Sequence, residues 1–413
     1  MSVDGARREE ILETAATMFA SSGLRTSLND IADACGILPG SLYHHFDSKE
    51  SIIVELVERY LADLDRVAKE AVDALHAPEA RPIEEHIVTL GEAIAACAIR
   101  HRAALLLTLY EPPTAAGDEL VQLARKTPTA IHAAVLEVLA AGRDRREIRA
   151  DIDLDGLAER LYRSMLHVGV GVSHRGPGGS LMPALRCRIL LHGLALEKPS
   201  KSALDRSDAM AAARRVVATW AAPSSDDRAA HLLAVARAEF GRHGYEATTV
   251  RDIASAAGLS TGSVYRMFGS KDELLAAIMG SFVDNVTTAW NAVLESPSSA
   301  IEKLDALIWV SIMVLDRFSE EYRIQLAWLR QSPPSTMDLG APSVAQVRQV
   351  KALLAAGIRA GEVRIEGANA DMRARCVVEL IWTPETIVRS VGPAGAHAFA
   401  RDTVLRGAAR VKR

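Results

Sequence analysis

At 413 residues, 49 % hydrophobic and 5 % aromatic, the chain is long enough for two to four units of roughly 150 residues and apolar enough to bury them. Its net charge of −4 argues against a protein coated in basic surface, although a small basic face fits within that total. Strand-like alternation of β-branched residues is rare, so the expected fold class is all-α. The four cysteines, Cys35, Cys97, Cys187 and Cys376, form no C-x-x-C pair, which points away from a disulfide framework or zinc ribbon and toward a reducing, cytoplasmic setting. The longest uncharged apolar run, about Ala306 to Leu315, falls short of the ~18 residues of a membrane span, and no leader opens the chain.

From Arg7 the pattern is helical. Ile11, Leu12, Ala15, Ala16 and Phe19 make one apolar stripe, Glu9, Glu10 and Glu13 lie opposite, and Gly23 ends the helix. Ser27 with Asp30 three residues later is a capping-box start for a short helix from Leu28 to Cys35, followed by a turn at Gly36. Pro39 suits the first position of a third helix reaching about Phe46, because its missing N–H costs nothing there. Ser48 then caps a longer helix through Ile52, Ile53, Leu56 and Val57.

The decapeptide GSLYHHFDSK, Gly40 to Lys49, returns as GSVYRMFGSK, Gly262 to Lys271, so that Tyr43 and Tyr265 stand 222 residues apart. A repeat at that distance is a duplicated unit. The second copy has Leu232, Leu233, Ala236 and Phe240 as its stripe, Gly244 as its stop, Thr249 with Asp252 as its cap and Gly258 as its turn. Ser260 caps its third helix, and Ser270 with Glu273 reads as the capping box of its fourth. A second echo, LAAGRDRREIR at Leu139–Arg149 and LAAGIRAGEVR at Leu354–Arg364, extends the duplication to the whole half. Between the halves, Glu197 to Asp208 has linker composition, and Met210, Ala213, Val217 and Trp220 mark one amphipathic helix before Ala222–Asp227.

Two short helices around a glycine turn, the second opening with small polar residues and carrying a Tyr, suit a major-groove reader. The groove is about 12 Å wide and admits one helix whose N-terminal side chains reach base edges. Thr26, Tyr43 and Lys49, with Thr248, Tyr265 and Lys271, are candidates for phosphate contacts, and the caps Ser27 and Thr249 are counted among the DNA-binding residues. The base-facing candidates differ between copies: Leu38, Pro39, Ser41 and His44 in the first, Ser260, Thr261, Ser263 and Arg266 in the second. Helical hairpins inside an all-α core would explain one copy; two with matched caps, turn, Tyr and Lys favour DNA binding.

The pattern T-[ST]-x-x-x-I-A-x-x-x-G-x-x-x-G-[ST]-x-Y-x-x-F-x-S-K resembles the DNA-binding domain of the TetR family of bacterial transcriptional regulators, and both copies fit it. The resemblance implies an all-α chain of two tandem halves forming an intramolecular pseudo-dimer. Helix-turn-helix domains would occupy 1–55 and 227–277, helical ligand-binding and interface domains 56–196 and 278–413, and a linker with a helix 197–226. It also implies a repressor on a double-stranded DNA operator, released by a small-molecule effector. Leu38 departs from the family's small polar cap, and Arg266 is the best single candidate for a guanine contact. The expected operator is therefore an imperfect palindrome; whether two such chains associate further stays open.

The resemblance further implies a four-helix bundle from the last two helices of each half. These would be about Leu154–Val172 with Leu181–Leu196, and Asp371–Ser390 with Ala394–Ala409, with Gly169, Gly171 and Ala396 allowing close packing. Trp309, Met313, Phe318, Tyr322, Trp328 and Trp382 make the second half the better site for an apolar or aromatic effector pocket, with Pro384 expected to kink the Trp382 helix; ordinary core aromatics are the alternative. His101, Tyr110, Tyr162 and His167 are the corresponding residues of the first half. His174–Ser180 lacks a phosphate-loop G-K-[ST] and reads as a plain connection. The twelve histidines show no metal spacing, and no nucleophile elbow or positioned carboxylate pair stands out, so no metal, cofactor or enzymatic role is expected. The rival readings are a DNA-binding scaffold without ligand response and an all-helical enzyme.

Overall fold

The computed structural model describes residues 3–22, 26–79, 81–108, 117–126, 128–171, 181–220, 228–245, 248–330 and 341–410. Among them the regular structure is helical, with two isolated β-bridges. None of the described helices is long and apolar enough to cross a membrane. The chain divides into two compact units. One comprises Met1–Ala141, Leu161–Pro183 and Leu326–Thr336; the other comprises Gly142–Arg160, Ala184–Gln325 and Met337–Arg413.

In the first unit, α1 (Val3–Ser22), α2 (Leu28–Ala34) and α3 (Pro39–Tyr43) precede the long α4 (Lys49–Leu75). Helix α3 stops three residues short of the expected Phe46, whose ring is nevertheless buried. The α4 face made by Ile52, Ile53, Leu56, Val57, Tyr60, Leu61, Leu64, Val67 and Ala68 is buried, each large side chain contributing ~1.5–3 kcal/mol. It packs against α5 (Ile83–Arg100), α6 (Arg102–Thr108) and α7 (Asp118–Arg125), with α8 (Thr129–Asp144) following. Helix α1 is tied to α4 by charge as well as packing. Arg8 forks onto Glu55, and Arg59 reaches both Glu9 (2.6 and 2.8 Å) and Glu55 (2.8 Å).

Helices α9 (Leu154–Gly171) and α10 (Met182–His192) close the first half. Gly169 lies where an added Cβ would strike the Ala98 backbone at 2.7 Å, so its small size serves packing on α5 within its own half. The linker region is more ordered than its composition suggests. It holds α11 (Lys201–Asp205) and α12 (Asp208–Ala218), and α12 packs against α16 (Lys271–Glu295) and α17 (Ala300–Arg317) through buried Ala209, Met210, Ala213 and Val217. The second half further comprises α13 (Arg228–His243), α14 (Val250–Ala256), α15 (Thr261–Met267), α18 (Ser319–Arg330), α19 (Ala341–Arg359), α20 (Ala370–Ile381) and α21 (Glu385–Ala400), ending in a π-helical turn, Arg401–Leu405.

Pro384 does not kink a continuous helix. Helix α20 stops at Ile381 and α21 restarts at Glu385 with Pro384 as its N-cap, because proline disfavours helical geometry in the residue before it. The kink falls instead at Gly392 (φ 70°), just before Pro393.

Inside the second unit, segments of the first half interlock with the second by a reciprocal exchange. The Arg149 N–H donates to Ala408 O (2.9 Å), and its repeat mate Arg364 donates to Leu194 O (2.9 Å). Arg410 donates to Glu147 O (2.8 Å), and Leu196 donates to Glu362 O (3.0 Å). Deeper in, Ala195 donates to Leu405 O (2.9 Å) while Ala409 donates to Leu191 O (2.7 Å). The bridges Ile148–Ala409 and Ala195–Val363 sit within the same two straps. Each half's E-[IV]-R arm is thus held by the other half's last residues. Arg160 of α9 adds a contact, donating to Leu380 O at the open C-terminal end of α20, where a cation is favourable.

A buried charge network closes this unit. Asp305 of α17, fully buried, accepts from Arg401 Nε and Nη2 (both 2.7 Å) and pairs with His397 Nε2 (3.0 Å); Arg401 also donates to Asp205 of α11 (2.7 Å). Burial alone would push the Asp305 carboxyl up. Its hydrogen bonds from Arg401 and His397 outweigh that and hold it below the usual carboxylate range.

Candidate nucleic-acid interface

Both helix-turn-helix units are built by the same local devices. Ser27 accepts from Asp30 N (3.1 Å) while Asp30 accepts from Ser27 N (2.7 Å), and Thr249 with Asp252 repeats the box at 3.2 and 2.8 Å. These bonds depress both carboxyls, the Ser27 backbone leading for Asp30 and the Thr249 hydroxyl for Asp252. Gly36 and Gly258 both take φ 65°, a left-handed turn that a side chain would strain. The turn is locked by Ile37 N donating to Ala32 O (3.0 Å) and Leu259 N to Ala254 O (2.9 Å). Ile31 with Leu42, and Ile253 with Val264, anchor the second and third helices inward.

That anchoring leaves one face of α3 and α15 exposed. Tyr43 is 52 % and Tyr265 51 % exposed, so both rings are free to meet a surface. The two N-termini differ. At α15, Ser260 accepts from Ser263 N (3.2 Å), the two hydroxyls lie 2.9 Å apart, and Arg266 Nη2 donates to Ser263 Oγ (3.0 Å). This chain along one helix face orients the Arg266 guanidinium, whose residue is exposed along with Ser260, while Thr261 and Ser263 are half-buried. At α3, Leu38 occupies the N-cap without a side-chain hydrogen bond and is 77 % exposed, with Ser41 and His44 exposed beside it.

Three of the side chains expected at phosphates are placed inside the protein or engaged there. Thr26 and Thr248 are buried; the Thr248 hydroxyl donates to Gly244 O (2.8 Å) and Glu239 O (3.2 Å), tying the start of the second helix to the end of α13, while the buried Thr26 hydroxyl makes no hydrogen bond among the described residues. Lys271 is similarly occupied, donating to Tyr245 O (2.8 Å) and Thr248 O (3.0 Å) with its ammonium 4.1 Å from the Tyr245 ring centroid. Lys49 is half-buried at the start of α4. Glu273 also departs from the expected box: Ser270 accepts from Glu273 N (3.1 Å), but the Glu273 carboxylate accepts from Gly269 N (3.0 Å).

Several of the described residues expected to line effector pockets pack against other aromatic rings. Tyr322 stacks on Trp382 (centroids 5.9 Å apart, planes at 15°), and Phe318 packs against Trp220 and Phe282. Trp309 and Met313 are half-buried on α17, while the Trp328 side chain, Tyr110 and His174–Ser180 lie outside the described residues. In the first half Tyr162 is buried, His167 is half-buried, and His101 sits 6.0 Å, ring to ring, from Tyr60. A groove of about 600 Å³ opens elsewhere, between α4 and α7, lined by Glu58, Glu119, Gln122, Leu123 and Lys126.

One cluster has only a faint sequence signal. Asp63, Cys97 and His101 bring one carboxylate oxygen, one thiol and one ring nitrogen within 4.8 Å of one another. Cys97 and His101 are four residues apart, hence on one helix face; Asp63 comes from α4 and could not be paired with them from spacing. Burial, with Asp63 nearby, pushes the Cys97 thiol up to about 12, and burial pulls His101 down. Burial also works against the Asp63 charge, but the hydrogen bond from Arg66 and the Arg100 charge leave its carboxyl below the usual range.

The sequence profile of bacterial regulatory proteins of the tetR family matches residues 11–56 and again 232–278. The HTH-type transcriptional repressor KstR2 of Rhodococcus jostii is 39 % identical over 176 residues, 42 % of this chain and 82 % of that protein. KstR2 of Mycobacterium tuberculosis is 35 % identical over 176 residues, 42 % of this chain and 84 % of its own length. A solved structure described as ketosteroid transcriptional regulator KstR2 of Mycobacterium tuberculosis aligns with 26 % identity and a TM-score of 0.38, over 44 % of this chain and 93 % of that one. The chain belongs to the TetR family of bacterial regulatory proteins and carries that family's DNA-binding segment twice.

Proposed function

We propose that this DNA-binding regulator acts as a covalent pseudo-dimer, a repressor that reads an imperfect palindrome with two unlike recognition helices. The coarser part, a transcriptional regulator rather than an enzyme, follows from its family and its repressor relatives. The observation that carries the finer part is the reciprocal strap, in which Arg149 with Ala408 and Arg364 with Leu194 repeat one bonding pattern with the halves exchanged. Such an exchange is what a two-fold dimer interface looks like when both partners share one chain. Linking the halves replaces bimolecular pairing by a high effective concentration.

The unlike caps support asymmetric reading. Arg266, held toward one side by Ser263, suits a guanine edge, whereas exposed Leu38 suits a thymine methyl. A small apolar or aromatic effector remains our reading for the second half, supported by the Tyr322–Trp382 stack and half-buried Trp309. A gel shift on DNA flanking the gene tests the DNA-binding core of the reading. Binding should weaken steeply as salt rises, because each neutralised phosphate releases counterions; a flat salt response would contradict it.

A further inference from the structure

We propose that Asp63, Cys97 and His101 form a binding site for a zinc-like divalent cation in the first half, distinct from the DNA-reading surface and from the apolar effector site proposed above. Cys97 lies in the last turn of α5 and His101 is its C-cap, with His101 N donating to Cys97 O (2.9 Å), so both side chains leave the same helix end. Asp63 faces them from α4, its Oδ2 3.1 Å from His101 Nε2. With the Cys97 proton displaced to solvent on binding, one thiolate, one imidazole and one carboxylate make a mixed S, N, O set that suits zinc, leaving a fourth tetrahedral position for water or a ligand. Ligand atoms around such an ion sit roughly 3.5 Å apart, and here they already lie within 4.8 Å.

The arginines at this site do not block it. Arg66 bonds Asp63 Oδ1 and Arg100 bonds Oδ2, but both side chains are more than half exposed and can swing to water when a cation takes their place. The duplication supplies an independent argument. Helices α4 and α16 start from the matched caps Ser48 and Ser270, and α5 and α17 are both 18 residues long, each closed by a residue donating back to a carbonyl four residues earlier. By those registers Tyr60, Asp63, Cys97 and His101 correspond to Phe282, Asn285, Val314 and Phe318. The ring pair persists, Tyr60–His101 at 6.0 Å and Phe282–Phe318 at 5.8 Å, while the thiol, the imidazole and the carboxylate charge are gone. The second half holds the same helix junction with Val314 and Phe318 in place of the thiol and imidazole and the neutral amide Asn285 in place of the carboxylate, so packing alone does not require the triad.

The test is titration of the metal-free full chain with cobalt(II), whose thiolate complexes absorb in the near ultraviolet. The expected result is a charge-transfer band saturating at one cobalt per chain, bleached by one equivalent of zinc. Cys97→Ser and His101→Gln should each abolish it, and Asp63→Asn should blunt the one-to-one endpoint. Cys187→Ser and Cys376→Ser should leave it intact. Circular dichroism confirms folding of each variant, and if Cys97→Ser fails to fold, His101→Gln and Asp63→Asn decide. No band at saturating cobalt, or a band that survives both Cys97→Ser and His101→Gln, overturns the proposal.

Discussion

Gly193 and Gly407 cross so closely that a Cβ on Gly193 would lie 2.6 Å from Gly407 N, and one on Gly407 would lie 2.5 Å from Gly193 N. Both take left-handed backbones, φ 73° and φ 79°, and stand 214 residues apart at matching points of the two straps. Because each neighbour is backbone, no rotamer change relieves the overlap. Gly193→Ala or Gly407→Ala should each cost roughly 2–4 kcal/mol, from strain and overpacking together. Urea midpoints at unchanged m-value would measure it, and a loss below about 0.5 kcal/mol for both would count against this crossing.

Arg266→Ala should relax sequence preference on one half-site only. If its guanidinium pairs with guanine, the discrimination lost is ~1–3 kcal/mol at one base position. Competition binding with every base at each half-site position would reveal it. Equal weakening on all sequences would make Arg266 a phosphate contact.

Leu38→Ser supplies the cap that Ser260 already provides to α15. Stability should rise by up to ~1 kcal/mol, while any thymine preference on the first half-site falls. Thermal unfolding and half-site competition on the same variant check the two effects separately.

What could be read from sequence was local, and what could not was spatial. The capping boxes at Ser27/Asp30 and Thr249/Asp252 depend on residues three apart, so the pattern alone announces them. Burial of the Thr248 hydroxyl depends on where Glu239 and Gly244 carbonyls end up, and no spacing announces that. Pro384 was legible as a disruption but not as an N-cap, since the choice between kink and restart rests on the chain before it. The straps join Arg149 to Ala408 across the whole chain; the repeated E-[IV]-R marked the arms without naming their partners. Asp63, Cys97 and His101 met through helix packing that periodicity does not specify.

Asp305→Asn should reveal the buried network. Removing the carboxylate leaves Arg401 without its buried partner, a loss of roughly 3–5 kcal/mol at neutral pH. The folded Asp305 carboxyl titrates below its unfolded value of about 3.9, so its stabilisation is complete above that pH and disappears as pH falls through the folded value. The variant should therefore lose part of the wild-type acid-side slope below about pH 4. Denaturant melts of both proteins from neutral to acid pH would show whether the curves converge; parallel curves would contradict the assignment.

In the proposed mode of binding, one chain supplies both recognition helices to one operator. Its most direct test is the mass of the protein–DNA complex on a full operator, measured across protein concentrations. One chain per duplex is expected, with a binding curve that shows no dimerisation step and a complex weakened by disruption of either half-site. Two chains per duplex at the lowest concentration that binds, each indifferent to the loss of one half-site, would contradict it.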